Sequence, residues 1–123
     1  MERKELRILV CGGRDWDNED RIARGIQAAL VQWTVPSFDH VVIIHGGARG
    51  ADTLAGQVAK REGIRTEVYK AEWDTYGKKA GYLRNVRMLE EGKPTVVLAA
   101  PGGRGTEMMV SIAKRAGVEV MYI

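Results

Sequence analysis

The sequence predicts an α/β fold: a three-layer, Rossmann-like parallel sheet of five strands, order 3-2-1-4-5, with helices on both faces. Three observations predict it. Strand-like and helix-like stretches alternate along the chain, five to four, and each parallel pair of strands needs a right-handed crossover through a helix. Val41–His45 (VVIIH) and Thr95–Ala100 (TVVLAA) are short, continuous apolar runs, the pattern of strands covered on both faces. Gly63 and Gly117 each follow a helical pattern directly and precede a strand, as left-handed C-terminal caps do. In the 3-2-1-4-5 order the first and fourth strands flank the switch point. The flavodoxin-like order 2-1-3-4-5 satisfies the same alternation, and periodicity does not separate the two.

Leu6–Cys11 reads as the first strand, apolar apart from Arg7. Ile22, Ala23, Ile26, Ala29, Leu30 and Trp33 keep the spacing of a first helix. Asp15, Asp17, Asn18, Glu19 and Asp20 crowd its N-terminus, where they are read as caps and dipole partners rather than metal ligands. After the second strand, Val41–His45, a second helix carries Leu54, Ala55, Val58 and Ala59 on one face. Arg65–Tyr69 alternates weakly as a third strand, and Trp73, Asp74 and Tyr76 follow it in a loop. The third helix, about Lys79 to Glu91, is the least regular, with Leu83, Val86 and Leu89 as its apolar face; Gly92 and Pro94 stop it. The fourth strand is Thr95–Ala100. Thr106 is a natural N-cap for the last helix, whose stripe is Met109, Ile112, Ala113 and Ala116, and Glu119–Ile123 closes the sheet.

At 123 residues, 45% of them hydrophobic, the chain reads as one domain with a self-sufficient core. One cysteine, Cys11, rules out an intramolecular disulfide and a thiolate zinc site, and His40 and His45 add little to a metal case. Neither a metal nor a cofactor is expected. No apolar run approaches the roughly 20 residues of a membrane span. The start, MERKELRILVCGG, is charged and then apolar, but its apolar part falls short of the about 7–15 residues of a signal-peptide core. It reads as the first strand of a soluble cytoplasmic protein with no membrane partner. A net charge of +3 with acids and bases interspersed suits an anionic ligand and argues only weakly for nucleic acid.

The 15 glycines carry the functional signal. Three strands end in glycine loops that run into helices: Gly12-Gly13-Arg14, then Gly46-Gly47-Ala48-Arg49-Gly50-Ala51-Asp52, then Pro101-Gly102-Gly103-Arg104-Gly105-Thr106. In a parallel sheet all strand C-termini lie along one edge, so these loops converge. Glycine lets backbone N–H groups approach a ligand, and the helix N-termini behind them favour anions. Arg14, Arg49 and Arg104, one per loop, add bidentate oxyanion donors. Asp52 is either a first-turn dipole partner or a contact for a ribose hydroxyl or base. Trp73 and Asp74 either cover the core or stack and bond a purine. None of the loops fits GxxxxGK[ST] or GxGxxG, which disfavours a Walker-type NTPase and an ordinary dinucleotide dehydrogenase. Cys11 is read as packing beneath its loop rather than as a nucleophile.

PGGRGT (Pro101–Thr106), after a buried strand, resembles the PGGxGT signature of the SLOG superfamily. That group includes the lonely-guy phosphoribohydrolases, molybdenum-cofactor carrier proteins and DNA-processing protein A. HGGARGAD (His45–Asp52) resembles the G-x-x-x-G-x-D element of the DNA-processing members. With GGRDW near the N-terminus and AEWDTYGKKAGYLRN (Ala71–Asn85), the chain resembles the small stand-alone SLOG proteins of phages and bacteria related to the YspA group. The resemblance implies a nucleotide site and a dimer or larger oligomer; the irregular face of the third helix makes that helix the candidate contact surface. Lonely-guy enzymes cleave the N-glycosidic bond of nucleoside monophosphates with an arginine of an R-K-x-x-M motif and a glutamate of PGGxGTxEE. Arg84-Asn85-Val86-Arg87-Met88 resembles the first, with asparagine in place of lysine. In the second, Met108 and Met109 replace the glutamate pair, and Glu107 is displaced by one residue, about 100° around a helix.

Three function classes follow. The first is a binding module that takes a nucleotide or nucleotide-derived phosphate ligand (NAD- or ADP-ribose-like) on the glycine edge, as sensor, carrier or sponge. The second is a phosphoribohydrolase with Arg84 and Arg104 on the phosphate and Glu107, Asp74 or Asp52 as the acid. The third is single-stranded nucleic-acid binding through Arg49, Lys78, Lys79, Arg84 and Arg87. The missing glutamate pair favours the first.

Overall fold

The structure is a computed structural model and describes residues 5–123; the first four residues of the charged lead-in lie outside the described residues. Five strands form one parallel sheet: β1 (Leu6–Cys11), β2 (Val41–His45), β3 (Arg65–Val68), β4 (Val96–Ala99) and β5 (Glu119–Tyr122). Their order is β3-β2-β1-β4-β5, the Rossmann-like arrangement. Ile8 of β1 pairs with Ile43 of β2 on one side and with Val96 of β4 on the other, which puts the most apolar strands in the middle. Pairing runs one residue past several strand ends: Tyr69 donates to His45 and Ile123 donates to Ala99.

Side chains alternate between faces along each strand, and the two faces have separate cores. Ile8, Val10, Val41, Ile43 and Leu98 pack against α1 (Glu19–Gln32) and α2 (Ala51–Glu62), through Ile22, Ile26, Ala55 and Val58. Leu9, Cys11, Val42, Ile44 and Val97 pack on the other face against α4 (Ala80–Glu90) and α5 (Arg104–Arg115), through Met88, Met109 and Ala113. The three inner strands, β2, β1 and β4, are therefore buried on two sides, which is why β2 reads as an unbroken apolar run. Gly63 caps α2 in the left-handed region at φ +69°, and Asn18 caps α1, its side chain accepting from the Arg21 amide.

Three local expectations need correction. Trp73–Tyr76 is not loop but a single helical turn, α3, followed by a 3-10 turn at Gly77–Lys79; one turn is too short to show a periodic pattern. The buried residues of α4 are Ala80, Asn85 and Met88, with Leu89 partly buried, not the stripe of Leu83, Val86 and Leu89. With Asn85 and Met88 fixing the inward face, Leu83 and Val86 are turned largely away from it, at about 100° per residue. The N-cap of α5 is Gly103 rather than Thr106, and no side chain caps it. Thr106 sits inside the first turn, its hydroxyl occupying the space that a side chain on Gly102 would need. Among the described residues no helix is long and apolar enough to cross a membrane.

Candidate functional site

The parallel order brings the loops after β1, β2 and β4 to one edge, and backbone bonds join them. The Gly13 amide donates to the Pro101 carbonyl at 2.8 Å, and the Ala51 amide at the start of α2 donates to the Gly13 carbonyl at 3.2 Å. Gly12 is wedged so tightly that an added Cβ would lie 2.7 Å from the Cβ atoms of both Ala51 and Ala100. Close contact between the loops is therefore what glycine supplies at position 12.

Between these loops and α4 lies a cleft of about 380 Å³. Its walls are Gly12, Gly13, Arg14, Ala48 and Asp52 on one side, Arg84 and Asn85 on another, and Gly103, Arg104, Gly105 and Thr106 at the start of α5. Its floor is Cys11, Met88 and Met109. Burial and the Asp52 charge push the Cys11 thiol up to about 12, so it stays protonated and inert. Among the described residues no cluster of three or more His, Cys, Asp or Glu side chains has the arrangement to hold a metal.

The second glycine loop differs from expectation in where its amides point. Oδ2 of Asp52 accepts from the Gly46 amide at 3.0 Å and the Ala48 amide at 3.2 Å. Nδ1 of His45 accepts from the Gly47 amide at 3.0 Å. These donors are turned into the protein and held there. Burial raises the Asp52 pKa above the ordinary carboxylate value, against the pull of the Ala48 amide, His45, Arg84 and the Gly46 amide. Burial lowers that of His45, opposed by Asp52. The first turn of α5, whose amides lack intrahelical acceptors and a side-chain cap, lines the cleft through Arg104, Gly105 and Thr106.

Arg84 and Asn85 tie α4 to that edge. Nη1 of Arg84 donates to the Gly46 carbonyl at 2.7 Å, and its Nε donates to Oδ1 of Asn85 at 2.9 Å. Asn85 in turn donates through Nδ2 to the Gly105 carbonyl at 3.2 Å. Burial and the nearby Arg14 charge lower the Arg84 pKa, while Asp52 raises it. Arg84 is thus a half-buried cation held at the mouth of the cleft by neutral partners.

Beyond Arg84 a second hollow, of about 420 Å³, is lined by Gly46, Gly47, Arg49, Lys70, Ala71 and Trp73. Trp73 is half exposed there. Lys70 belongs to no motif in the sequence; its position just past the end of β3, on the same edge as the glycine loops, is the signal that points to it. Of the other candidate residues, Gly50 and Asp74 line neither hollow. Pro101, Gly102 and Glu107 line a separate depression on the far side of α5, with Tyr122 and Ile123. A larger hollow, of about 800 Å³, lies at the opposite edge of the sheet by Trp33, Pro36 and His40, away from every glycine loop.

A family model described as the YspA, cpYpsA-related SLOG family matches residues 6–76, a span that includes the first two glycine loops and α3. The gene 61 protein of Mycobacterium phage D29 is 39% identical over 122 residues, and the match covers 94% of each chain. Among solved structures, DNA processing protein A from Streptococcus pneumoniae superposes with a TM-score of 0.68 at 19% identity. That superposition covers 96% of this chain and 50% of the other. At this identity the likeness is one of fold, and the chain spans half the length of that structure.

Proposed function

Because the chain belongs to the YspA, cpYpsA-related SLOG family, we propose that it binds a nucleotide or nucleotide-derived phosphate ligand, of the NAD or ADP-ribose kind, in the cleft at the start of α5. It would serve as a sensor, carrier or sponge for that ligand. One observation carries the reading: the uncapped first turn of α5 and the cations Arg14, Arg84 and Arg104 line the same cleft. Helix-start amides and guanidinium groups are the donors that phosphate oxygens take best. Cys11, Met88 and Met109 give the floor an apolar surface for a sugar or base.

The same geometry weighs against turnover. Glycosidic cleavage needs a carboxylate beside the developing oxocarbenium ion, and Met109 lines the floor at one of the glutamate positions. Asp52 is the carboxylate that lines the cleft among the described residues, and its Oδ2 is occupied by two amides. Glu107 lies on the other side of α5. Self-association through the outer face of α4 goes with this reading, because Tyr82 is exposed there and Leu83 and Val86 are half-buried outside both cores.

Calorimetric titration with AMP, ADP, NAD and ADP-ribose tests the proposal. Binding at micromolar or better affinity to at least one, with no release of free base from AMP, is the expected result. No binding across the panel overturns it. Binding only to single-stranded DNA, with affinity falling steeply between about 50 and 200 mM salt, would move the function to nucleic acid.

A further inference from the structure

Gly46 and Gly47 sit side by side after β2, and each makes room for a cation. The Arg84 guanidinium occupies the space a side chain on Gly46 would fill. Gly47, at φ +72°, lies under Lys70: a Cβ there would come within 3.4 Å of Lys70 Cγ and 3.2 Å of Val68 Cγ1. The glycine pair therefore places one cation on the cleft side and one over the second hollow.

The two hollows share a wall made of Arg14, Ala48 and Arg84. Around the second hollow stand Arg14, Arg49, Lys70 and Arg84, with no carboxylate among the lining residues. Among the described residues, the one ion pair formed by these four cations is Arg49 with Asp15 at 3.7 Å, and both side chains are largely exposed, where such pairs contribute little. Like charges gathered around a concave surface raise the local concentration of anions. A single phosphate seated at the start of α5 leaves the cations beyond Arg84 unmatched.

We infer that the second hollow is a second anion seat, so that the ligand carries two phosphoryl groups, one at the start of α5 and one against Lys70 and Arg49, with Arg84 between them. The inference rests on the nucleotide-binding reading above and adds to it a rule for phosphate number. A pyrophosphate and two phosphates on separate ribose positions present the same chemistry to these cations, so ligands of both kinds belong in the test.

Calorimetry on the full chain at fixed ionic strength would compare AMP with ADP, ADP-ribose and adenosine 3′,5′-bisphosphate. At least one two-phosphoryl ligand should bind roughly tenfold more tightly than AMP, the worth of a charge-assisted contact. The preferred ligand distinguishes the pyrophosphate from the separated arrangement. In Lys70→Met, which keeps the side-chain stem, the ratio of that affinity to the AMP affinity should fall toward one. Arg49→Met repeats the test at a second exposed position. Equal affinity for one-phosphoryl and two-phosphoryl ligands, or a ratio unchanged in both variants, overturns the second seat and leaves nucleotide binding standing. Failure of every nucleotide to bind removes both.

Discussion

Nη1 of Arg84 donates to the carbonyl oxygen of Gly46 at 2.7 Å, in space that is free because Gly46 has no side chain. An alanine Cβ at position 46 would overlap Nη1, lie 2.8 Å from Cζ and sit 3.0 Å from Oδ2 of Asp52. The guanidinium is the end of a flexible side chain, so it can swing away at small cost to the fold. Gly46→Ala should therefore lower nucleotide affinity by about tenfold, as loss of one charge-assisted contact would, with melting shifted by no more than a few degrees. Titration and thermal melting of the same preparation check both halves.

Much of this edge is legible in the sequence. VVIIH and TVVLAA are readable as buried strands because β2 and β4 are covered on both faces. Once the sheet is parallel, the residues after β1, β2 and β4 must share an edge, and Gly13, Asp52 and Gly105 do line one cleft. What the sequence does not reveal is where the amides of the second loop point. That depends on Asp52 folding back under Gly46 and on the His45 ring turning toward Gly47, neither of which has a signature in residue spacing. Lys70 has only its place just past a weakly alternating strand to mark it, with no motif around it. The α3 turn at Trp73–Tyr76 is one turn long, too short for the helical period of about 3.6 residues to repeat.

Gly50 is needed for a different reason. It has φ +81°, and a Cβ there would overlap the Gly13 carbonyl oxygen and lie 2.6 Å from the backbone carbon of Arg14. Both obstacles are main chain, so neither moves without separating the first and second loops. Gly50→Ala should cost about 3 kcal/mol or more, combining left-handed strain with the clash. Urea denaturation would show the loss, in contrast to the small effect at Gly46.

The buried pair beneath the second loop makes stability depend on pH. Burial holds the His45 pKa below its ordinary value, so the folded state keeps the ring neutral while the unfolded chain takes up a proton near pH 6.5. The unfolded state then binds more protons, and the His45 contribution is present above that pH and lost as pH falls through it. Asp52 acts in the opposite sense: its raised pKa gives a contribution complete below about pH 3.9 and lost as pH rises through the folded value. Melting temperature should thus decline from about pH 7 toward pH 5, in the His45 window. His45→Asn, whose amide oxygen can still accept from Gly47, should flatten that slope. An unchanged slope in the variant would mean that another group sets it.

Asn85 joins the two elements on which the proposed anion binding depends. It accepts from Arg84 through Oδ1 and donates to the Gly105 carbonyl through Nδ2, so the arginine and the start of α5 are positioned by one side chain. Asn85→Asp is nearly isosteric but has acceptors only. It would face the Gly105 carbonyl with an oxygen, pair with Arg84, and place a negative charge in the cleft that a phosphate would enter. The charge on Arg84 is then matched internally, and an incoming anion meets repulsion where it met attraction. Nucleotide affinity should fall between about tenfold and a hundredfold, the range for one charged contact. Folding should suffer less, since the carboxylate gains Arg84 and lies near the positive end of the α5 dipole. Asn85→Ala separates the two effects: it removes the tether without adding charge, and should weaken binding less than Asn85→Asp does. If the two variants bind equally, the electrostatic account of the cleft is wrong and Asn85 acts only by holding α4 against α5.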